Sequence, residues 1–215
     1  MKVTPISVTI PLIEGMMSGE DLIVHNARVS NPSNQLNLDT GPKLLAYCVK
    51  HEHWSPFEQA SMGVEIVTSR MISAQILRHK SFSFQEFSQR YSRVQNLEPV
   101  EMRKQADKNR QSSEEVLDDP YCRAIVNQAS TFCQDSYDKL IARGVARECA
   151  RAVLPLSAQT TLYMTGTARS WIHYIQLRTK QDTQKEHRDI AEAIKVIFKK
   201  EFPVTYSALF ESNGR

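Results

Sequence analysis

Glycine is scarce in this 215-residue chain, and its seven copies form neither a GxGxxG run nor a GxxxxGK[ST] loop. A dinucleotide or nucleoside triphosphate would have to be held by something other than a glycine-rich turn. A GxSxG elbow is also missing, which removes the usual setting for a serine nucleophile. The four cysteines, Cys48, Cys122, Cys133 and Cys149, make no CxxC pair, so a structural zinc is not expected. The opening MKVTPISVTIPLIEG lacks a signal-peptide pattern, and together with the cysteine spacing it points to reduced thiols in the cytoplasm. No apolar run approaches the ~20 residues that span a bilayer, so no membrane partner is expected. A net charge of +3 does not call for nucleic acid, though local cation clusters would suit small anions.

What is present reads as one domain over residues 1–215. Val3 to Ile10 alternates as a strand, and about Gly19 to Ser30 reads as a helix ending at NPSN. Asp39 or Thr40 can cap a second helix, with Pro42 in its first turn. Ala60 to Thr68 is rich in β-branched residues and should be a strand, after which Ser69 can cap a helix through MISAQILRH. Residues 103–119 are polar and charge-mixed, which predicts a surface excursion or flexible loop. Helix is expected from about Tyr121 to Val153 with a break near Gly144, then a strand through SAQTTLYMTG. Two helices, Ala168 to Arg178 and Thr183 to Glu201, follow, and Pro203 can start a short last one. This order gives an α/β (α+β) chain: a mixed sheet core, flanking helices and a helical elaboration.

Chemistry concentrates in RHKSFSFQEFSQRY, residues 78–91. On a helix ending near His79, Gln75 shares a face with Arg78 and His79 and could grip one ligand with them. Glu86, Ser88 and Arg90 follow at spacing two, so an extended chain would bring carboxylate, hydroxyl and guanidinium together. Arginine suits phosphate through its planar fork, while serine and glutamine read uncharged polar edges; a nucleoside monophosphate offers both. Phe82, Phe84, Phe87 and Tyr91 interleave with the polar groups and favour a half-buried segment over a solvated basic loop. Two rival readings stay beside this one. His51-Glu52-His53 would suit a metal-dependent hydrolase, but no third ligand stands at a recognised spacing. An RNA-binding module would need a broader basic stripe.

RHK, seven residues, then SQR resembles the RHR-x7-SxR signature of flavin-dependent thymidylate synthases. HWSPFEQA at 53–60 is similar to that family's H-x-SPFEH segment, RECARAVLPL at 147–156 to its REhARxVLP segment, and TARSWIHYIQLR at 167–178 to its NARSLxxFLxLR segment. Four blocks in the right order cover residues 50 to 180.

The resemblance implies a homotetramer that binds FAD and dUMP where subunits meet. It would methylate dUMP with 5,10-methylenetetrahydrofolate while NADPH reduces the flavin, and no enzyme nucleophile would attack the ring. Carried over by position, it implies dUMP contacts from Gln75, Ile76, Leu77, Arg78, Glu86, Phe87, Ser88, Gln89, Arg90, Arg151 and Arg178. Arg178 is the catalytic candidate, matching an arginine that polarises the uracil. FAD would meet Ser55, Arg78, His79, Lys80, Glu86, Thr167, Ala168, Arg169 and His173, with His53 and Tyr91 near the flavin and folate. Arg169 and His173, four apart on one helix, would share a face, with Arg178 directed elsewhere. The sequence departs from the family pattern at Lys80 (usually Arg), Thr167 (often Asn) and Gln59 (usually His), and in Phe84-Gln85. The first three bear on flavin affinity.

Overall fold

Strands β2 (Ser61–Ser69) and β6 (Gln159–Thr167) pair antiparallel along their full length and form the centre of the sheet. β1 (Lys2–Val8) lies on the outer side of β2, and β3 (Ser83–Glu86) on the outer side of β6, giving the order β1-β2-β6-β3. All three pairings are antiparallel, so the sheet is not mixed as the sequence led us to expect, although the α+β class holds. The period-two alternation sends Val64, Ile66, Leu162 and Met164 into the core and leaves Glu65 and Tyr163 on the other face.

Helices close the apolar face. α3 (Arg70–Ile76) and α6 (Ala168–Arg178) spring directly from the ends of β2 and β6. Their Ile72, Ile76, Trp171, Ile172 and Ile175 join one core with Ile190, Ile194 and Phe198 of α7 (Lys185–Glu201). Trp171 is fully buried, and its indole N–H donates to the Met62 carbonyl at 2.9 Å, so its one polar group is satisfied. Truncating a side chain of this kind to Ala typically costs about 3–5 kcal/mol.

Nearer the N-terminus, α1 (Gly19–Ala27) starts with a capping box between Ser18 and Asp21. α2 (Gly41–Lys50) begins after Thr40, but the Thr40 hydroxyl does not cap it; it accepts from Arg28 at 2.6 Å. The expected break at Gly144 is present, with φ of 83° between α4 (Pro120–Ala142) and α5 (Arg147–Ala150). α8 (Pro203–Tyr206) follows Phe202.

Three expectations fail locally. α3 stops at Ile76, and residues 77–80 continue as turns rather than helix. β3 ends at Glu86, after which the Ser88 carbonyl accepts from the backbone N–H groups of Tyr91 and Ser92 in a tight turn. Glu86, Ser88 and Arg90 therefore do not lie along one extended face. The excursion at 103–119 contains a hairpin, β4 (Arg103–Gln105) with β5 (Ser113–Val116), and it is tied down by Arg103. The computed structural model describes residues 1–211; the expected domain continues over 212–215, outside the described residues. No described helix is long and apolar enough to cross a membrane.

Candidate active site

The residues singled out from the sequence fall into three patches. The first lies where the C-terminal ends of α3 and α6 meet the start of α7. Arg178 donates from Nε to Nε2 of His79 at 2.9 Å, and its terminal nitrogens bond no described residue. His79 packs edge-on against Tyr174, ring centroids 4.9 Å apart. Burial and the adjacent Arg178 cation push His79 down to about 4, so it stays neutral and can accept the Arg178 bond. Behind it, fully buried His187 approaches the Tyr174 hydroxyl at 3.1 Å through Nε2 and Gln75 Oε1 at 3.3 Å through Nδ1. Burial, Arg178 and His79 together hold His187 down to about 3. Gln75 also donates to Gln184 at 2.7 Å. Arg78 and Lys80 are exposed, and their side chains have no partner among the described residues.

Gln75 and His79 thus face one cluster, but through a turn after Ile76 and not the helical spacing expected, and Arg78, expected on the same face, is exposed. Ile76 is fully buried and offers a ligand only its main chain; Leu77 is half-buried.

The second patch surrounds the turn after β3. Glu86 is committed to the protein: Arg70 meets it at 2.5 Å, and the Thr160 hydroxyl donates to it at 3.1 Å. Arg90 pairs with Glu148 at 3.2 Å, and Arg151 donates from Nε to the Glu148 carbonyl at 3.4 Å. Phe87, Tyr91, Arg93 and Arg147 line a cavity of about 470 Å³ beside them. The exposed Ser88 hydroxyl has no described partner, and the buried Gln89 Nε2 has none either. Arg90 alone meets the Glu148 carboxylate, while Arg151 bonds only its main-chain carbonyl and Arg147 lines the cavity, so the patch carries excess positive charge, which suits an anion such as phosphate.

The third patch is a cavity of about 660 Å³ lined by Tyr47, His53, Trp54, Ser55 and Arg169 among others. Trp54 meets the His173 ring edge-on with centroids 5.3 Å apart. His173 lies below its ordinary range, first through burial and then through Arg169, with Glu52 opposing. Arg169 and His173 therefore do share a face, and Arg178 does not belong to it. Arg169 is paired with Glu58 at 2.5 Å. Thr167 caps α6 by accepting from the Ser170 N–H at 3.2 Å, a task Asn performs equally well, which accounts for the departure there. Ala168 is buried. Phe84 pairs across the sheet with Met164 and packs on the core. His51 and His53 have ring centroids 6.0 Å apart, and among the described residues no group of three or more His, Cys, Asp or Glu is placed to hold a metal.

Among the described residues no hydrogen bond or ion pair joins the Arg178 patch to the Arg90 patch. Sequence reasoning overlooked Tyr174, His187 and Gln184. His187 was visible in principle, because it lies three and four residues before Ile190 and Ala191 on the apolar face of α7. The third cavity, with Tyr47, His53 and Trp54 in its lining and the Arg169 cation beside them, has the aromatic surface and positive charge that a flat ring system carrying acidic groups would need.

A sequence profile for the family described as thymidylate synthase complementing protein matches residues 11–204. The chain is 52% identical over 208 residues to the probable flavin-dependent thymidylate synthase of Paramecium bursaria Chlorella virus 1, spanning 95% of this chain and 96% of that protein. It is 48% identical over 216 residues to the flavin-dependent thymidylate synthase of Synechocystis sp., spanning 97% and 99%. The crystal structure of a UMP/dUMP methylase, PolB from Streptomyces cacaoi bound with 5-Br dUMP, superposes with a TM-score of 0.82 at 27% identity, over 96% of this chain and 93% of that one.

Proposed function

Since the chain belongs to the flavin-dependent thymidylate synthase family, we propose that it converts dUMP to dTMP by reductive methylation. The one-carbon unit comes from 5,10-methylenetetrahydrofolate and NADPH is the terminal reductant. FAD, once reduced by NADPH, would supply the hydride that brings the transferred carbon to the methyl level, while C5 of the uracil gives up a proton. The chain acts as a single catalytic domain that assembles as a homotetramer in the cytoplasm.

The observation that carries this reading is the state of Arg178. Neutral His79 holds it by Nε, and both terminal nitrogens bond no described residue, which leaves them to meet a ligand. A guanidinium fixed in this way can stabilise negative charge as it develops on the uracil ring, without reorganising at the moment of reaction. Gln75 and Arg78 add further donors to the same side of the nucleotide. Arg90, Arg151 and the Ser88 hydroxyl, a separate patch within the protomer, complete the nucleotide site from a neighbouring subunit. Ser55, His79, Lys80, Arg169 and His173 hold the flavin, with His53 and Tyr91 near the folate. Glu86 serves mainly by anchoring β3 through Arg70, since its carboxylate is already occupied.

The test is direct. Protein purified with FAD, then given dUMP, methylenetetrahydrofolate and NADPH, should form dTMP and release label from [5-³H]dUMP. A preparation that binds no flavin and forms no dTMP would sink the reading. Mixing inactive Arg178→Ala and Arg90→Ala proteins should restore part of the activity if the patches come from different subunits; no recovery would oppose shared sites.

A further inference from the structure

A run of hydrogen bonds leads from Gln75 to the β4–β5 hairpin. Gln75 Nε2 donates to Gln184 Oε1 at 2.7 Å, and Gln184 Nε2 donates to Glu186 Oε2 at 2.9 Å. Arg103 grips Glu186 from both terminal nitrogens, NH1 to Oε1 at 2.7 Å and NH2 to Oε2 at 2.9 Å. Arg103 is itself fixed by Glu101 at 2.9 Å and by the Ser113 hydroxyl at 2.8 Å.

The polarity of this run is set at one end. An ionised carboxylate only accepts, so the Gln184 amide must turn its nitrogen toward Glu186 and its oxygen toward Gln75. Gln75 must then turn its nitrogen toward Gln184 and its oxygen toward His187. His187 must carry its proton on Nδ1, which leaves Nε2 to accept the Tyr174 O–H. One amide N–H of Gln75 is left without a partner among the described residues.

Resting on the reading that Gln75 contacts dUMP, the geometry points to Arg103, Glu186 and Gln184 as a positioning chain. It locks the Gln75 carboxamide so that it presents a donor to the nucleotide. Gln75 then turns its remaining N–H toward acceptor oxygens, phosphate or carbonyl, of the nucleotide. The hairpin at 103–116, which holds none of the residues placed at the site, takes part in nucleotide recognition. Arg103 also keeps Glu186 below the ordinary carboxylate range against the opposing effect of burial, so the polarity persists through neutral pH.

Gln184→Met is the cleanest variant. Gln184 stands at the N-cap of α7 but makes no side-chain capping bond, so the helix start does not depend on its amide. dUMP affinity of the FAD-loaded protein is measured by calorimetry for wild type, Gln184→Met, Glu186→Gln and Arg103→Ala, each also carrying Gln75→Ala. Gln184→Met should weaken dUMP about 5-fold, the scale of one neutral hydrogen bond. The effect should vanish when Gln75 is already Ala. KM for dUMP should rise while kcat at saturating dUMP falls much less, and Arg103→Lys should recover part of the affinity lost in Arg103→Ala. Wild-type affinity in Gln184→Met, or an equal loss with and without Gln75, would overturn the positioning chain while leaving the proposed reaction intact. If wild-type protein binds dUMP and Gln75→Ala binds it equally well, Gln75 is no contact and the chain has nothing to position. Failure of wild type to bind dUMP overturns the functional reading itself.

Discussion

Lowering the pH from 7 to 5 should destabilise this protein through His187, and the size of the effect follows from its surroundings. His187 has no exposed surface, and Tyr174, Gln75, His79 and Arg178 surround it. A proton on Nε2 would remove the acceptor for the Tyr174 hydroxyl and set a second cation near Arg178. The folded protein therefore holds His187 neutral down to about 3, against an ordinary value of 6.5. Between those two values the unfolded chain binds a proton that the folded one refuses, so stability rises with pH there. His187's contribution is complete above 6.5 and is lost as pH falls toward 3. At pH 5 the solution is about 1.5 units below the unfolded value, and at about 1.4 kcal/mol per unit the loss is about 2 kcal/mol.

The assay is urea unfolding at pH 7 and pH 5, at one fixed protein concentration because assembly adds its own concentration dependence. His187→Gln, which keeps a polar group but cannot titrate, should lose about 2 kcal/mol less than wild type over the interval. His79, held down to about 4 by burial and Arg178, titrates in the same direction in both proteins and drops out of the difference. Equal pH sensitivity in wild type and variant would refute the argument, since it would mean that His187 is protonated in the folded state or that its environment is wetter than the structure gives.

Ser88→Ala should weaken dUMP by about 0.5–1.5 kcal/mol with turnover retained, because only a neutral hydroxyl donor is lost; a trapped Ser88 adduct, or dead enzyme with dUMP still bound, would contradict this. Lys80→Arg should tighten FAD in a titration of apo-protein, as Lys80 is exposed and unpaired among the described residues and a planar fork offers more fixed donors; equal or weaker binding would mean the ammonium is locally preferred. Arg178→Lys should slow dTMP formation at saturating dUMP by about 10²-fold, the scale of one preorganised donor. Near-normal turnover would reduce Arg178 to a binding residue.

Much of the scaffold was legible because its signals are local. Helix α6 runs from Ala168 to Arg178 as the periodicity indicates, and the break at Gly144 follows from glycine's access to positive φ. The turn after β3 was not legible, because spacing two in Glu86, Ser88 and Arg90 fits a strand equally well, and only the Ser88 carbonyl bonds decide against it. The hairpin at 103–119 was hidden by its polarity: it is fastened by ion pairs of Arg103 with Glu101 and Glu186, not by an apolar face. His187 was missed because it sits in the charged run QKEHRD, where composition suggests solvent and only the helical period points inward.

The meeting of His79 with Arg178 follows from the antiparallel centre of the sheet. Ser69 at the end of β2 pairs with Gln159 at the start of β6, and Thr167 at the end of β6 pairs with Ser61. Helices α3 and α6, each continuing the strand before it, must therefore begin at opposite ends of the sheet. Nine residues of strand span about 30 Å. The seven residues of α3 and eleven of α6, at about 1.5 Å each, together cover nearly the same length. Both pack into one core, so their C-terminal ends meet over the middle of the sheet, where His79 reaches Arg178 across 99 positions of sequence. Helix C-termini carry partial negative charge and favour cations, so the end of α6 stabilises Arg178 in its last turn. A parallel pairing would instead start both helices at the same edge and run them side by side, so their C-terminal ends would not face each other. The antiparallel pairing of β2 with β6 is thus the feature of the fold on which the candidate catalytic arginine depends.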